Sequence, residues 1–264
     1  MIETKNSCKN LSIFNKNILN KYNIPKNSIF IYGQHACKSA IENKNREKIL
    51  ILTTKRKLEF WKKITFENKL SIEIVTVAEK ILDLFSKNNV HQNVILIAKH
   101  LRKIKLSEYL DQNKSNKNKI ILLDQLSDPQ NIGSIIRSAF AFGFNAVGML
   151  KNNSPFETSA LIKASSGEIE KITLIELGNL INEINLLKQK GFFVYGLANE
   201  GHKNIKNAKI NDQKLALVIG SEGKGLRSLT KKNLDEVFYI QIDKNCNSLN
   251  ASNAAAIAMF ELGN

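Results

Sequence analysis

Most of what builds crosslinked, exported or membrane-spanning proteins is scarce in this chain. Its 264 residues include three cysteines, Cys8, Cys37 and Cys246. Odd in number, far apart and without a CxxC pair, they offer neither a disulfide framework nor a zinc site, and no metal is expected. No stretch approaches the ~18 consecutive apolar residues of a membrane-crossing helix. The longest uncharged span, Asn245 to Phe260, is broken by Asn and Ser. The opening residues scatter Lys and Asn through every short apolar group and never form the hydrophobic segment of a secretory signal. Leu11, Phe14, Ile18, Leu19 and Tyr22 recur at helical spacing, yet a transit peptide is Arg-rich and the first Arg here is Arg46. The expected location is therefore a reducing cytoplasm, with residues 1–27 a basic extension.

Familiar catalytic signatures are missing too. There is no GxSxG elbow, no HExxH, no Walker pattern and no GxGxxG. The four histidines, His35, His91, His100 and His202, are dispersed and suggest no triad or metal cluster. His35, following Gly33, reads as the cap of a helix.

What is present is the balance of a folded protein, 43% hydrophobic and 24% charged residues. The formal charge is +15, from 39 Lys and Arg against 24 Asp and Glu. It is unevenly spread: residues 1–119 hold 24 basic and 10 acidic side chains, residues 120–264 hold 15 and 14. A first half of that kind either attracts a polyanion such as nucleic acid through counterion release or reflects compositional drift toward Lys and Asn.

The run DQNKSNKNK at 111–119 contains no apolar side chain and reads as a linker. Before it, over 28–110, the runs SIFIYG, ILILT, IEIVTV and VILIA alternate with helical patterns such as His35 to Asn43 and Ala78 to Phe85, a small α/β domain. After it, over 120–264, IILL, AVGML, ITLI, FVYGL, LALVI and FYIQI alternate with helices, the pattern of a parallel sheet covered on both faces. In such a sheet the ligand sits beyond the carboxyl ends of the strands.

Three segments fall there. In the first, Asp128 and Pro129 open a helix that Gly143 closes. Ile132, Ile135, Ile136, Ala139 and Phe140 form its apolar stripe, and Arg137 lies outside that stripe. Arg137 is either a surface cation or an anion contact, and Asn131 either satisfies the first helical turn or joins a site. In the second, LALVI runs into Gly220, Gly223 and Gly225, which permit close backbone approach to a ligand. Glu222 in that turn argues against a phosphate cradle. In the third, Ser248, Asn250 and Ser252 gather at the start of an Ala-rich helix that either Ser248 or Asn250 can cap, a polar group at the entrance of an element that otherwise looks buried.

In order and spacing, these segments resemble the signatures of the SpoU (TrmH-like) branch of the SPOUT RNA methyltransferases. N-x-G-x-x-x-R is present as Asn131, Gly133 and Arg137; G-x-E-x-x-G as Gly220, Glu222 and Gly225; S-L-N-x-S as Ser248, Leu249, Asn250 and Ser252. The first half is similar to the substrate-binding domain of the ribosomal members, opening with Gly33, His35 and Ala36 of G-x-H-A. The resemblance covers residues 28 to 264. It implies an L30e-like RNA-binding domain, a linker, a catalytic domain tied in an α/β knot, and a homodimer whose site is completed across the interface. The implied reaction moves the methyl of S-adenosylmethionine to a ribose 2′-hydroxyl, with a guanosine of large-subunit ribosomal RNA the expected target. A tRNA target, or a non-catalytic RNA-binding protein of the same fold, is the alternative. By position, Gly220, Ile240, Leu249 and Asn199 hold the cofactor, while Arg137, Asn131, Glu222, Ser248 and Asn250 form the catalytic group. Gln241, Lys244 and Asn253 depart from the pattern, standing where Pro, Gly and an apolar residue are usual.

Overall fold

The computed structural model describes residues 20–87, 89–151, 156–208 and 214–263. Cys8 and most of the basic extension lie outside them. The chain divides into two compact units, Met1–Leu101 and Arg102–Asn264.

In the first unit the elements run β1 (Ile29–Tyr32), α1 (Gln34–Glu42), β2 (Lys48–Thr53), α2 (Leu58–Glu67), β3 (Glu73–Thr76), α3 (Glu79–Phe85) and β4 (Val94–Ala98). The sheet order is β1-β4-β2-β3, with β4 antiparallel to both neighbours and β2 parallel to β3. The central strand is the all-apolar VILIA, buried along its whole length, as a strand covered on both faces must be. His35 does not cap α1. Gly33 holds the cap position at φ 97°, a conformation that favours glycine, and Gln92 Oε1 accepts from the Gln34 N–H at 2.8 Å. Helix α2, which the alternation of apolar runs did not announce, buries Trp61, Ile64 and Thr65.

The second unit begins with β5 (Ile104–Lys105) and α4 (Leu106–Gln112), then β6 (Asn118–Asp124), α5 (Pro129–Ala141), β7 (Ala146–Leu150), α6 (Ser159–Ala164) and β8 (Thr173–Leu177). It continues with α7 (Leu180–Gln189), β9 (Phe193–Leu197), β10 (Lys203–Asn204), β11 (Lys214–Gly220), α8 (Ser228–Lys232), β12 (Glu236–Tyr239) and α9 (Ala251–Gly263). The eight strands form one parallel sheet in the order β10-β12-β9-β11-β6-β7-β8-β5. Ile120 and Leu122 of β6 join a core built by Leu106 and Tyr109 of α4 and by Leu180, Ile184 and Leu187 of α7. Ile121 and Leu123 alternate to the other face and are equally buried.

The polar run 111–119 is therefore not the boundary between the units. It lies inside the second unit, connecting α4 to β6, and its last two residues are already strand. Asn118 is buried and accepts from the Tyr109 hydroxyl at 2.8 Å, and the Lys119 ammonium donates to the Gly263 carbonyl at the end of α9. Moving the division to 101 also redistributes the charge: residues 1–101 hold 18 basic and 8 acidic groups, residues 102–264 hold 21 and 16. The second unit thus keeps a share of the basic excess.

Candidate functional site

Asp128 opens α5 as anticipated, accepting from the N–H groups of Gln130 and Asn131. This fixes Asn131 at the first turn, buried, with its side-chain amide donating to Asp128 Oδ2 at 2.8 Å and to Glu222 Oε1 at 2.9 Å. Asn250 closes the figure. Its Nδ2 donates to Glu222 Oε1 at 2.7 Å and to Asn131 Oδ1 at 2.9 Å, while its Oδ1 caps α9 by accepting from Ser252 N and Oγ and from Asn253 N. Three residues far apart in sequence thus form one ring of hydrogen bonds, and every amide orientation in it is determined by its partners. The cap of α9 is Asn250, and Ser248 has no part in it.

The turn after β11 carries Glu222. Ser221 and Gly225 exchange backbone hydrogen bonds, and Gly223 and Gly225 take φ values of 78° and 62°. A Cβ on Gly220 would lie 2.3 Å from the Gly225 carbonyl carbon and 2.4 Å from the Leu226 nitrogen, so the turn folds back onto the strand end only because position 220 has no side chain.

Beside this turn opens a cleft of about 370 Å³ at the carboxyl ends of β9, β11 and β12. Gly220, Ile240, Leu249 and Asn199 all line it, together with Glu222, Ser248 and Asn250. Asn199 Nδ2 donates to the Asn247 carbonyl, bridging the β9 loop to the closing segment. Leu197, Ile219, Ile240, Ile242 and Leu249 give apolar surface, and the glycine turn gives backbone polar groups. Size and lining suit an adenosyl ligand. Glu200, on the rim, accepts from Lys231, whose ammonium holds that carboxyl below its ordinary value.

Arg137 is not in this ring. It is exposed, six residues beyond Asn131, hence about 9 Å further along α5 and rotated about 240° around it. Among the described residues it has neither a hydrogen bond nor an ion pair. Ile132, Ile135, Ile136 and Ala139 of its helix are buried as expected, whereas Phe140 is 41% exposed. Gly133 is where α5 comes close against α6: a Cβ there would lie 2.4 Å from that of Ala164. Gln241, Lys244 and Asn253 do not line the cleft, and Gln241 accepts from Asn204 instead.

Sequence reading overlooked Asp124. At the end of β6, its wholly buried side chain accepts from the Thr230 hydroxyl at 2.8 Å and faces Arg227 Nη2 at 2.8 Å. The carboxylate ties the segment after the glycine turn to β6, and its only sequence signal was a charge directly following IILL. Cys37 is buried and Cys246 exposed, both as free thiols. Among the described residues no helix is long and apolar enough to cross a membrane, and no group of three His, Cys, Asp or Glu side chains is gathered.

The SpoU rRNA methylase family profile matches residues 118–260, and the profile for RNA 2′-O ribose methyltransferase substrate binding matches residues 30–104. The chain belongs to the SpoU rRNA methylase family. That makes it an RNA methyltransferase with S-adenosylmethionine as donor. It is 35% identical over 237 residues to a Staphylococcus aureus protein named as a TrmH-family tRNA/rRNA methyltransferase, covering 88% of this chain and 94% of that one. In fold it is similar to the SpoU methyltransferase AviRb from Streptomyces viridochromogenes, solved with AdoMet, at a TM-score of 0.76 and 20% identity over 90% of this chain and 89% of that one. An AdoMet-bound rRNA methyltransferase from Sinorhizobium meliloti superposes with a TM-score of 0.73 at 21% identity, over 89% of this chain and 87% of that one. These likenesses establish the SPOUT α/β fold.

Proposed function

We propose that this protein methylates a ribose 2′-hydroxyl in structured RNA, with a guanosine of large-subunit ribosomal RNA as target, and that it works in the cytoplasm as a homodimer. The observation that carries this reading is the ring of Asn131, Glu222 and Asn250 at the mouth of the cleft lined by Gly220, Ile240, Leu249 and Asn199. When bound, S-adenosylmethionine supplies an electrophilic methyl group. Backbone groups of the glycine turn and of Leu249 hold it, and Ile240 covers it. The hydroxyl is a poor nucleophile until its proton is shared or lost.

Two carboxylates, Glu222 in the ring and Asp128 beside it, flank the Asn131 amide, so the site has a negative character that calls for a cation. Arg137 fits that need in chemistry but not in place within its own chain. It lies on the exposed side of α5, and α5 packs against α9, whose own exposed positions Asn253, Ile257 and Phe260 follow at i, i+4 and i+7. Phe140, Ile257 and Phe260 are 41%, 36% and 53% exposed. A two-fold contact through this surface buries the aromatic and aliphatic side chains and presents Arg137 to the cleft of the other copy. There the guanidinium, which keeps its charge in proteins, stabilises negative charge developing on the hydroxyl oxygen, and Ser248 helps to orient it. Gln241, Lys244 and Asn253, where the sequence departs from the family pattern, are not among the cleft-lining residues, which favours a catalytic protein over a non-catalytic one.

Tritium transfer from labelled S-adenosylmethionine to unmodified 23S rRNA tests the reading, followed by mapping of the modified position. Arg137→Ala should abolish transfer while calorimetry still detects cofactor binding. Loss of both would assign Arg137 to the framework instead.

A further inference from the structure

A second cleft, of about 390 Å³, opens on the same edge of the large sheet as the first. It lies at the carboxyl ends of β6, β7 and β8, where Gln125, Lys151 and Gly178 follow their strands, and Arg227 and Leu229 form its opposite wall. The segment 220–230 separates the two clefts, Gly220 to Leu226 facing one and Arg227 to Thr230 the other. Between β11 and β7 there are two strand spacings, about 10 Å.

We propose that this second cleft seats a nucleotide of the substrate RNA beside the one being methylated. The inference rests on the RNA methyltransferase reading above and extends it to a contact for a neighbouring residue of the same strand.

Three properties favour this occupant. Arg227 is paired on one side only: its Nη2 lies 2.8 Å from the buried Asp124 carboxylate, and the side chain remains 44% exposed, so its other N–H groups stay available to a phosphate. Lys151 adds a second cation and, among the described residues, has no ion pair of its own. The half-buried Ile181 and Leu229, the latter 61% exposed, offer apolar surface for a base, the Gln125 amide offers a donor and an acceptor for its edge, and Asn179, whose Oδ1 caps α7, keeps its Nδ2 as a donor. Gln125 sits at φ 61°, unfavourable for a residue with a side chain, in the short connection that leads to Asn131. The strand end is thus held out of its relaxed conformation at the junction of cleft and ring. Cations, an apolar wall and amides in one hollow match the three parts of a nucleotide.

The test uses the full chain and an unmodified 23S rRNA transcript. Lys151→Ala and Leu229→Ala are compared with wild type by equilibrium binding across a salt series, with S-adenosylmethionine affinity measured on each protein to confirm that the fold and first cleft are intact. Lys151→Ala should weaken RNA binding and lower the salt slope by about one. Leu229→Ala should weaken binding several-fold with the slope unchanged, since it removes an apolar wall and no charge. RNA affinity within about two-fold of wild type for both variants and a salt slope unchanged in Lys151→Ala, with cofactor binding retained, would overturn the second-cleft assignment and leave the methyltransferase reading standing. A wild-type chain that binds no RNA would overturn both.

Discussion

At Gly220 there is no room for a side chain, because the turn it launches returns to within van der Waals distance of it. Gly220→Ala forces the turn off the strand end, and overpacking against backbone costs about 1–3 kcal/mol, or roughly tenfold in affinity for each 1.4 kcal/mol that reaches the cleft. Cofactor affinity should fall by about that factor in calorimetry; an unaltered dissociation constant would show that the turn does not shape the cleft. At this scale the sequence was informative where polar residues broke an apolar context. Asn250 stood out so, Asn131 and Glu222 were marked by the family resemblance, and the three are bonded to one another. Asp124 did not stand out, since a carboxylate after a strand is ordinary until Thr230 and Arg227, more than a hundred positions later, are seen to face it. Arg137 was legible as a residue outside its helix's apolar stripe, but no periodicity says what an exposed guanidinium meets.

Among the elements, β5 and α4 show best where sequence pattern runs out. A two-residue strand has no periodicity to detect, and β10 escaped notice for the same reason. The apolar-free run 111–119 invited a boundary, although strand β6 draws its first two residues from it; backbone hydrogen bonds need no apolar side chain. Leu106 and Tyr109 are buried in the large sheet's core, and burial pushes the Tyr109 hydroxyl up to about 12. Fully burying one such side chain contributes about 1.5–3 kcal/mol. A fragment of residues 102–264 should therefore fold and bind S-adenosylmethionine, whereas 120–264 should unfold at markedly lower urea. Equal midpoints would return the boundary to the polar run. The longer strands were legible because each is a near-continuous apolar run, and α5 because Asp128, Pro129 and Gly143 punctuate it; its stripe failed only at Phe140, about 80° from Ile132 and at the margin of the buried arc.

For the whole molecule, the exposed Phe140, Ile257 and Phe260 are the surface that a solitary chain explains least. Phe260→Asp places a charge there and should yield a monomer by light scattering, one that keeps cofactor affinity and loses methyl transfer. Wild-type mass equal to a single chain would remove the shared site. Complementation sharpens the same point: mixing inactive Arg137→Ala and Glu222→Ala chains should restore part of the activity, because a mixed pair contains one site with both residues intact.

The ring that joins Asn131 to Glu222 and Asn250 spans 91 and 119 positions of chain. Its last member is also the residue from which α9 starts. A growing chain that has completed β6 and α5 therefore has no arranged reaction centre until α9, more than a hundred positions later, has been made and has docked against α5.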